Sequence, residues 1–295
     1  MQLYGIQETY LKIIKAEGIG KKYGDFHLRL DLFVDAGEII GLVGPNGAGK
    51  TTILYILLNI VKADEGKVTI FGMDHIKQEI QIKERTGVVF EEQNFYRHWK
   101  ISHILHFYAS FFPKWDWQEA SLLLDKFQLR KNMRFKELSK GMKVKLGLIL
   151  ALSTNAELFL FDEPTTGLDP RIRRLLLDEI QRIHKKNQAT MLFSSQNMQD
   201  VSNLADRIIL VDNGKIRFNE KKTTITRDWL KIVIPPNTHS KVKEIIHRSE
   251  VPDGESIIIN RKNLATILRD LDVDPSVHPH NLTLDEVFIE FTNLP

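Results

Sequence analysis

Gly44-Pro45-Asn46-Gly47-Ala48-Gly49-Lys50-Thr51 is the stretch that decides how this chain folds. A short apolar run, Glu38 to Val43, leads into it, and Thr51 to Asn59 reads as a helix leaving it. Strand, glycine-rich loop and helix in that order match the G-x-x-x-x-G-K-[ST] pattern. Glycines let the backbone curl until several amide N–H groups point at one anion. The following helix turns its positive end to the same place. Lys50 can bridge β- and γ-phosphates, and the Thr51 hydroxyl can bind Mg²⁺. Gly44, Pro45, Asn46, Gly47, Ala48, Gly49, Lys50, Thr51 and Thr52 are therefore the candidate residues for ATP.

Around this loop, strands and helices alternate. Phe26, Leu28, Leu30, Leu32 and Val34 share one face of a half-buried strand. Val68 to Phe71 and Val88 to Phe90 are further short strands, and the pattern turns helical from about Ile101 to Leu152. A second apolar strand, Leu158 to Phe161, ends at Asp162-Glu163. Strand ends in an α/β sheet are where ligands bind. Asp162 is the candidate Mg²⁺ carboxylate, acting through water, and Glu163 the candidate general base for an attacking water. Arg171 to Lys186 reads as an amphipathic helix, with Asp169 as N-cap and Pro170 at the first helical position. Thr190 to Phe193 and Arg207 to Val211 are strands again, so the fold class is α/β. Near Lys221 the pattern shifts to a smaller appended α/β unit, 221–295. Its turn signals are Pro235-Pro236, Pro252-Asp253-Gly254 and Asp274-Pro275.

Composition narrows the class. Of 295 residues, 42% are hydrophobic and 27% charged, the balance of a globular domain. A net charge of +3 gives no argument for nucleic acid as a partner. With no cysteine, disulfides and thiolate metal sites are excluded. The most apolar stretch, Leu146 to Phe161, is interrupted by Asn155 and Glu157 and falls short of the roughly 20 residues a span needs. Met1 to Lys15 lacks the pattern of a signal peptide. The ten histidines form no H-E-x-x-H motif, and His103 and His106 read as surface or packing residues.

Between the two phosphate-site motifs stands Leu138-Ser139-Lys140-Gly141-Met142, which resembles the LSGGQ signature of ATP-binding cassette (ABC) proteins. Phe161-Asp162-Glu163-Pro164-Thr165-Thr166-Gly167-Leu168-Asp169-Pro170 is similar to that family's Walker B motif running into its D-loop. The resemblance covers about residues 11–220. It implies a P-loop NTPase core with an antiparallel β subdomain and a helical subdomain at about 93–152. The Lys-Gly-Met form and the ending Leu282-Thr283-Leu284-Asp285-Glu286-Val287-Phe288 resemble the ABC-2, bacitracin-type export subgroup.

The resemblance also implies a mechanism. Two nucleotide-binding domains, in a homo- or heterodimer, close head to tail around two ATP molecules. Ser139 and Gly141 of one then contact the γ-phosphate held by Lys50 of the other. Tyr23 matches the aromatic that stacks on adenine. The partners implied are integral membrane permease subunits, which would hold this chain at the cytoplasmic face of the cell membrane. The aromatics from Phe95 to Trp117 fall in the subdomain that docks those subunits.

Three positions depart from the family. Glu91 stands where the Q-loop glutamine belongs, with Gln93 two residues later. Glu91 can bind Mg²⁺ or water but adds negative charge. Gln196 replaces the switch histidine in Phe193-Ser194-Ser195-Gln196; it donates a hydrogen bond but carries no positive charge. Lys140 replaces the signature's first glycine. A slow or asymmetric site is one expectation from these changes. Two alternative readings are an ATP-gated clamp that barely hydrolyses and a soluble ABC ATPase acting on DNA or ribosomes.

Overall fold

A computed structural model describes residues 12–234, 245–251, 254–270 and 279–292. The turn signals at Pro235-Pro236, Pro252-Asp253 and Asp274-Pro275 lie outside them. The chain opens with β1 (Lys12–Tyr23), β2 (Phe26–Asp35) and β3 (Ile39–Val43), then α1 (Lys50–Leu57). It continues through β4 (Glu65–Ile70), β5 (Met73–Asp74), α2 (Glu79–Lys83) and β6 (Thr86–Val89). Three helices follow: α3 (Ile101–Ala109), α4 (Trp117–Phe127) and α5 (Lys140–Leu152). Next come β7 (Leu158–Phe161), α6 (Pro170–Asn187), β8 (Thr190–Ser195), α7 (Met198–Leu204), β9 (Arg207–Asp212) and β10 (Lys215–Lys221). The last part holds α8 (Lys222–Asp228), β11 (Trp229–Ile234), β12 (Ile245–Val251), β13 (Gly254–Asn260), α9 (Leu264–Asp270), β14 (His280–Asn281) and α10 (Leu284–Thr292).

Among the described residues these strands form three sheets. The central one has the order β10-β9-β3-β8-β7-β6; β9, β3, β8, β7 and β6 run parallel, and β10 closes one edge antiparallel. Every residue of β3, β7 and β8 is buried. That fits strands covered on both faces and explains the apolar runs at 39–43, 158–161 and 191–193. On one face, α1 and the antiparallel sheet β2-β1-β4-β5 enclose one core around Ile40, Leu42, Leu54 and Leu160. On the other face, side chains of α3 to α7 pack with Val43, Phe159, Phe161 and Phe193. The α/β core, antiparallel sheet, helical region and C-terminal strands expected from the sequence are all present.

The third sheet, β12-β13-β11-β14, is antiparallel with its own small core around Ile232, Ile257 and Ile259. Phe218 of β10, Trp229 and Phe291 meet edge to face or stacked and join this sheet to the preceding strands.

Several elements differ from the sequence reading, which assigned nothing at β5, α2, α7 and β10. β1 is a twelve-residue strand to which the sequence reading assigned no element. Its register slips between Ala16 and Ile19, and this irregularity breaks the two-residue alternation by which strands are read. Within the stretch read as helical, α5 begins at Lys140, inside the signature motif. Ser139 is its N-cap, accepting a hydrogen bond from the Met142 amide at 3.3 Å. No helix among the described residues is long and apolar enough to cross a membrane.

Candidate functional site

The loop after β3 is shaped by contacts that leave no room for side chains. A Cβ on Gly44 would lie 2.1 Å from the Val211 carbonyl oxygen of β9. Gly49, with φ 108°, is the residue from which α1 starts, and a Cβ there would press on Phe26 and Leu28 at 3.0 Å. The turn between β9 and β10 holds the loop from outside. Gly214 donates its N–H to the Ala48 carbonyl at 3.0 Å and accepts from the Arg29 N–H at 2.9 Å. Asn46 and Gly47 remain exposed at the loop's crest. Thr51 and Thr52 follow in the first turn of α1, half-buried.

Lys50 is only 7% exposed, and its ammonium folds back into the loop. Nζ donates to the Gly44 carbonyl at 2.7 Å and to the Pro45 carbonyl at 3.1 Å. Burial holds its pKa below the ordinary lysine value, while the carboxylates of Glu163, Asp162 and Glu91 pull the other way. A buried cation ringed by carbonyls and carboxylates is a group kept ready for an anion.

The strand order brings the second motif to this loop. β8 lies between β3 and β7, so the ends of all three strands converge. Asp162, just past β7, accepts from the Thr51 hydroxyl at 3.1 Å and from the Ser194 hydroxyl at 2.8 Å, both at Oδ1. Its other oxygen, Oδ2, is buried and has no hydrogen-bond partner. Burial raises the Asp162 pKa, with the two hydroxyl hydrogen bonds acting against that rise. Glu163 adopts φ 48°, a conformation that costs a non-glycine residue about 1–3 kcal/mol and persists where surroundings enforce it. Its N–H donates to Ser194 Oγ at 2.8 Å and its Oε2 accepts from Thr166 at 3.0 Å. Oε1 has no hydrogen bond and lies 3.6 Å from Lys50 Nζ.

These orphaned oxygens fit a cation. Among the described residues no three His, Cys, Asp or Glu side chains cluster to hold a metal by themselves. Mg²⁺ needs no such cage, since one or two carboxylates plus substrate phosphates and water suffice. Thr51 Oγ1 and Asp162 Oδ2 are suitably placed donors.

The remaining candidates are distributed differently. Glu91 is exposed just beyond β6, and its charge reaches Lys50 and Tyr55. Gln93 turns away: its amide donates to the Phe90 carbonyl at 2.9 Å and its side chain packs on Gly147 of α5. Gln196 is exposed between β8 and α7. Tyr23 is exposed at the end of β1, with the Lys21 ammonium 5.5 Å from its ring centroid. Ser139 and Gly141 stand at the start of α5, against the turn after Glu163. The Lys140 side chain lies over Gly167, and Leu168 meets Gly141.

Sequence reasoning assigned no role to Ser194, which bridges Asp162 and the Glu163 backbone. The signal was there: two buried serines, Ser194 and Ser195, follow the apolar residues Met191, Leu192 and Phe193 of β8.

Known proteins resemble this chain in sequence and in fold. Residues 28–166 match the ABC transporter family. The ABC transporter ATP-binding protein NatA of Bacillus subtilis is 33% identical over 195 residues, covering 64% of this chain and 79% of NatA. The uncharacterized ABC transporter ATP-binding protein YdbJ of the same organism is 28% identical over 294 residues, 95% of each chain. The sulfate/thiosulfate import ATP-binding protein CysA 1 of Shewanella oneidensis is 33% identical over 214 residues, 69% of this chain and 57% of CysA 1. A solved ATP-binding subunit of an ABC transporter superposes with a TM-score of 0.67 at 23% identity, over 73% of this chain and 92% of that one.

Proposed function

This chain belongs to the ABC transporter ATP-binding proteins, and from that premise we propose that it powers export through separate integral membrane subunits. As an ABC ATPase it hydrolyses ATP. The family is one of transporter ATPases, which weighs against the clamp and soluble readings. The observation that carries the site assignment is the Thr51–Asp162 hydrogen bond beside an unpartnered Asp162 oxygen.

In this reading the amides of residues 44–50 face the triphosphate. Lys50 exchanges the Gly44 and Pro45 carbonyls for β- and γ-phosphate oxygens. Thr51 and Asp162 would hold Mg²⁺, and Glu91, whose charge reaches Lys50, is the third proposed contributor. When bound, the metal supplies neutralising charge for the β- and γ-oxygens. Glu163 orients the attacking water and takes its proton. Gln196 donates a hydrogen bond to the γ-phosphate without adding positive charge, and Glu91 adds a negative one, so turnover is slow. Tyr23 stacks on the adenine. Ser139 and Gly141 of a second nucleotide-binding domain complete the site, and residues 221–295 form an accessory unit outside the 11–220 ATPase domain.

The exporting direction is supported by the Lys140-Gly141-Met142 form of the signature and by the ending Leu282 to Phe288. An import protein matches at an identity similar to NatA's, so direction is a matter for measurement. The exposed aromatics Tyr96, Phe107, Phe111 and Trp117 support docking of the membrane subunits on the helical region, at the cytoplasmic face. The test is purification of this chain with its membrane partner and reconstitution into vesicles with ATP outside. Export predicts ATP-dependent accumulation inside vesicles whose cytoplasmic face points outward; ATP-dependent loss of preloaded substrate from those same vesicles overturns it.

A further inference from the structure

We infer that Asp200 is a positioning residue of the ATP-cleaving centre, tying the loop that carries Glu163 to the helix that follows Gln196. The inference rests on the reading of Glu163 as the group that activates water.

Asp200 lies in the first turn of α7 and is 2% exposed. Its carboxylate is fully used by two other elements. Oδ2 accepts from the Thr165 hydroxyl at 2.6 Å, and Oδ1 accepts from Arg173 Nε of α6 at 2.6 Å. Its own N–H donates to Oδ1 of Asn197, the N-cap of α7 and the neighbour of Gln196. One buried side chain thus joins the 162–169 loop, α6 and the Gln196 segment.

Glu163 needs such a frame. Its left-handed backbone stays in place only if both sides of it are fixed. Ser194 fixes the N-terminal side through the Glu163 N–H. On the other side the next side-chain anchor is Thr165, and Thr165 is held by Asp200. Thr166, the residue after Thr165, holds Glu163 Oε2. A movement of Gln196 as it reaches a phosphate therefore passes through Asn197 and Asp200 to the Glu163 loop.

The experiment compares Thr165→Val, which keeps shape but loses the hydroxyl, with Thr165→Ser, which keeps the hydroxyl but loses a methyl. Asp200→Asn and Glu163→Gln accompany them, all in the full chain. Steady-state ATPase rate, affinity for a fluorescent ATP analogue and thermal midpoint are measured. Thr165→Val and Asp200→Asn should lower kcat about tenfold, as misplacement of a reacting group does, with analogue affinity kept. Thr165→Ser should retain the rate. Wild-type kcat in Thr165→Val, or a Thr165→Ser enzyme as slow as Thr165→Val, overturns the inference, because a packing role predicts no benefit from the hydroxyl. Loss of analogue affinity in step with rate also overturns it. If Glu163→Gln keeps turnover, the reading of Glu163 itself fails; if it does not while Thr165→Val does, only the role of Asp200 fails.

Discussion

The Lys50 ammonium stands 3.6 Å from the Glu163 carboxylate, and both side chains are almost wholly buried. The cation of the phosphate loop is thus paired, before any phosphate arrives, with the carboxylate proposed to act on water. Burial lowers the Lys50 pKa, and Glu163 Oε1 has no hydrogen bond. A triphosphate would separate the pair, giving Lys50 stronger anionic partners and leaving Glu163 free for water.

Glu163→Gln should abolish ATP turnover and leave ATP binding intact. The amide keeps the size of the side chain but cannot take a proton. Equal ATPase rates in mutant and wild type would sink the assignment.

Asp162→Asn should stabilise the nucleotide-free chain and weaken its response to Mg-ATP. Asp162 has a raised pKa in the fold, so its stabilising contribution is complete below the unfolded value near 3.8 and is lost as pH rises through the folded pKa. Above its folded pKa the wild type holds a buried ionised oxygen without a partner. Removing that charge should raise stability by about 1 kcal/mol or more. Thermal melts from pH 4 to 8 should show the gap between mutant and wild type opening as pH rises.

Gln196→His should raise the steady-state ATPase rate roughly three- to tenfold, the effect of adding a positive charge to the donor of its hydrogen bond to the γ-phosphate. Gln196 is exposed and free of tight packing, so histidine fits. An unchanged rate would show that this departure from the family does not limit turnover.

Phe111→Glu should leave the basal ATPase of the isolated chain unchanged and abolish co-purification with the membrane subunits. Phe111 is exposed and lies with Ile80, Phe112 and Pro113 along one groove. Retained co-purification would move the docking surface elsewhere.

Arg182→Ala should destabilise the fold by roughly 1–2 kcal/mol, read by urea denaturation, because Lys186 and Lys126 still pair with the two carboxylates it leaves. Arg182 of α6 is ion-paired with Glu119 of α4 and with Glu179, both buried carboxylates. Lys114→Ala, which removes an exposed partner of Glu157, should cost about 1 kcal/mol or less.

What the sequence determined by itself was local. The loop Gly44 to Thr51 and the strand ending at Asp162-Glu163 are contiguous, and their chemistry follows from residue type and order. The helix start at Asp169-Pro170 was legible too, and the structure shows Asp169 accepting from the Arg171 and Ile172 amides. Tertiary structure alone decided which distant side chains complete the site. The strand order that sets β8 between β3 and β7 brings Ser194 to Asp162, and the packing of α7 beside α6 brings Asp200 to Thr165 and Arg173. Those pairs are separated by about thirty residues and carry no spacing rule, because a hydrogen bond between elements depends on how strands are ordered and helices packed rather than on distance along the chain. The phosphate loop was recognisable from eight residues; how its lysine is held, and what steadies the glutamate facing it, came from contacts that only the folded chain makes.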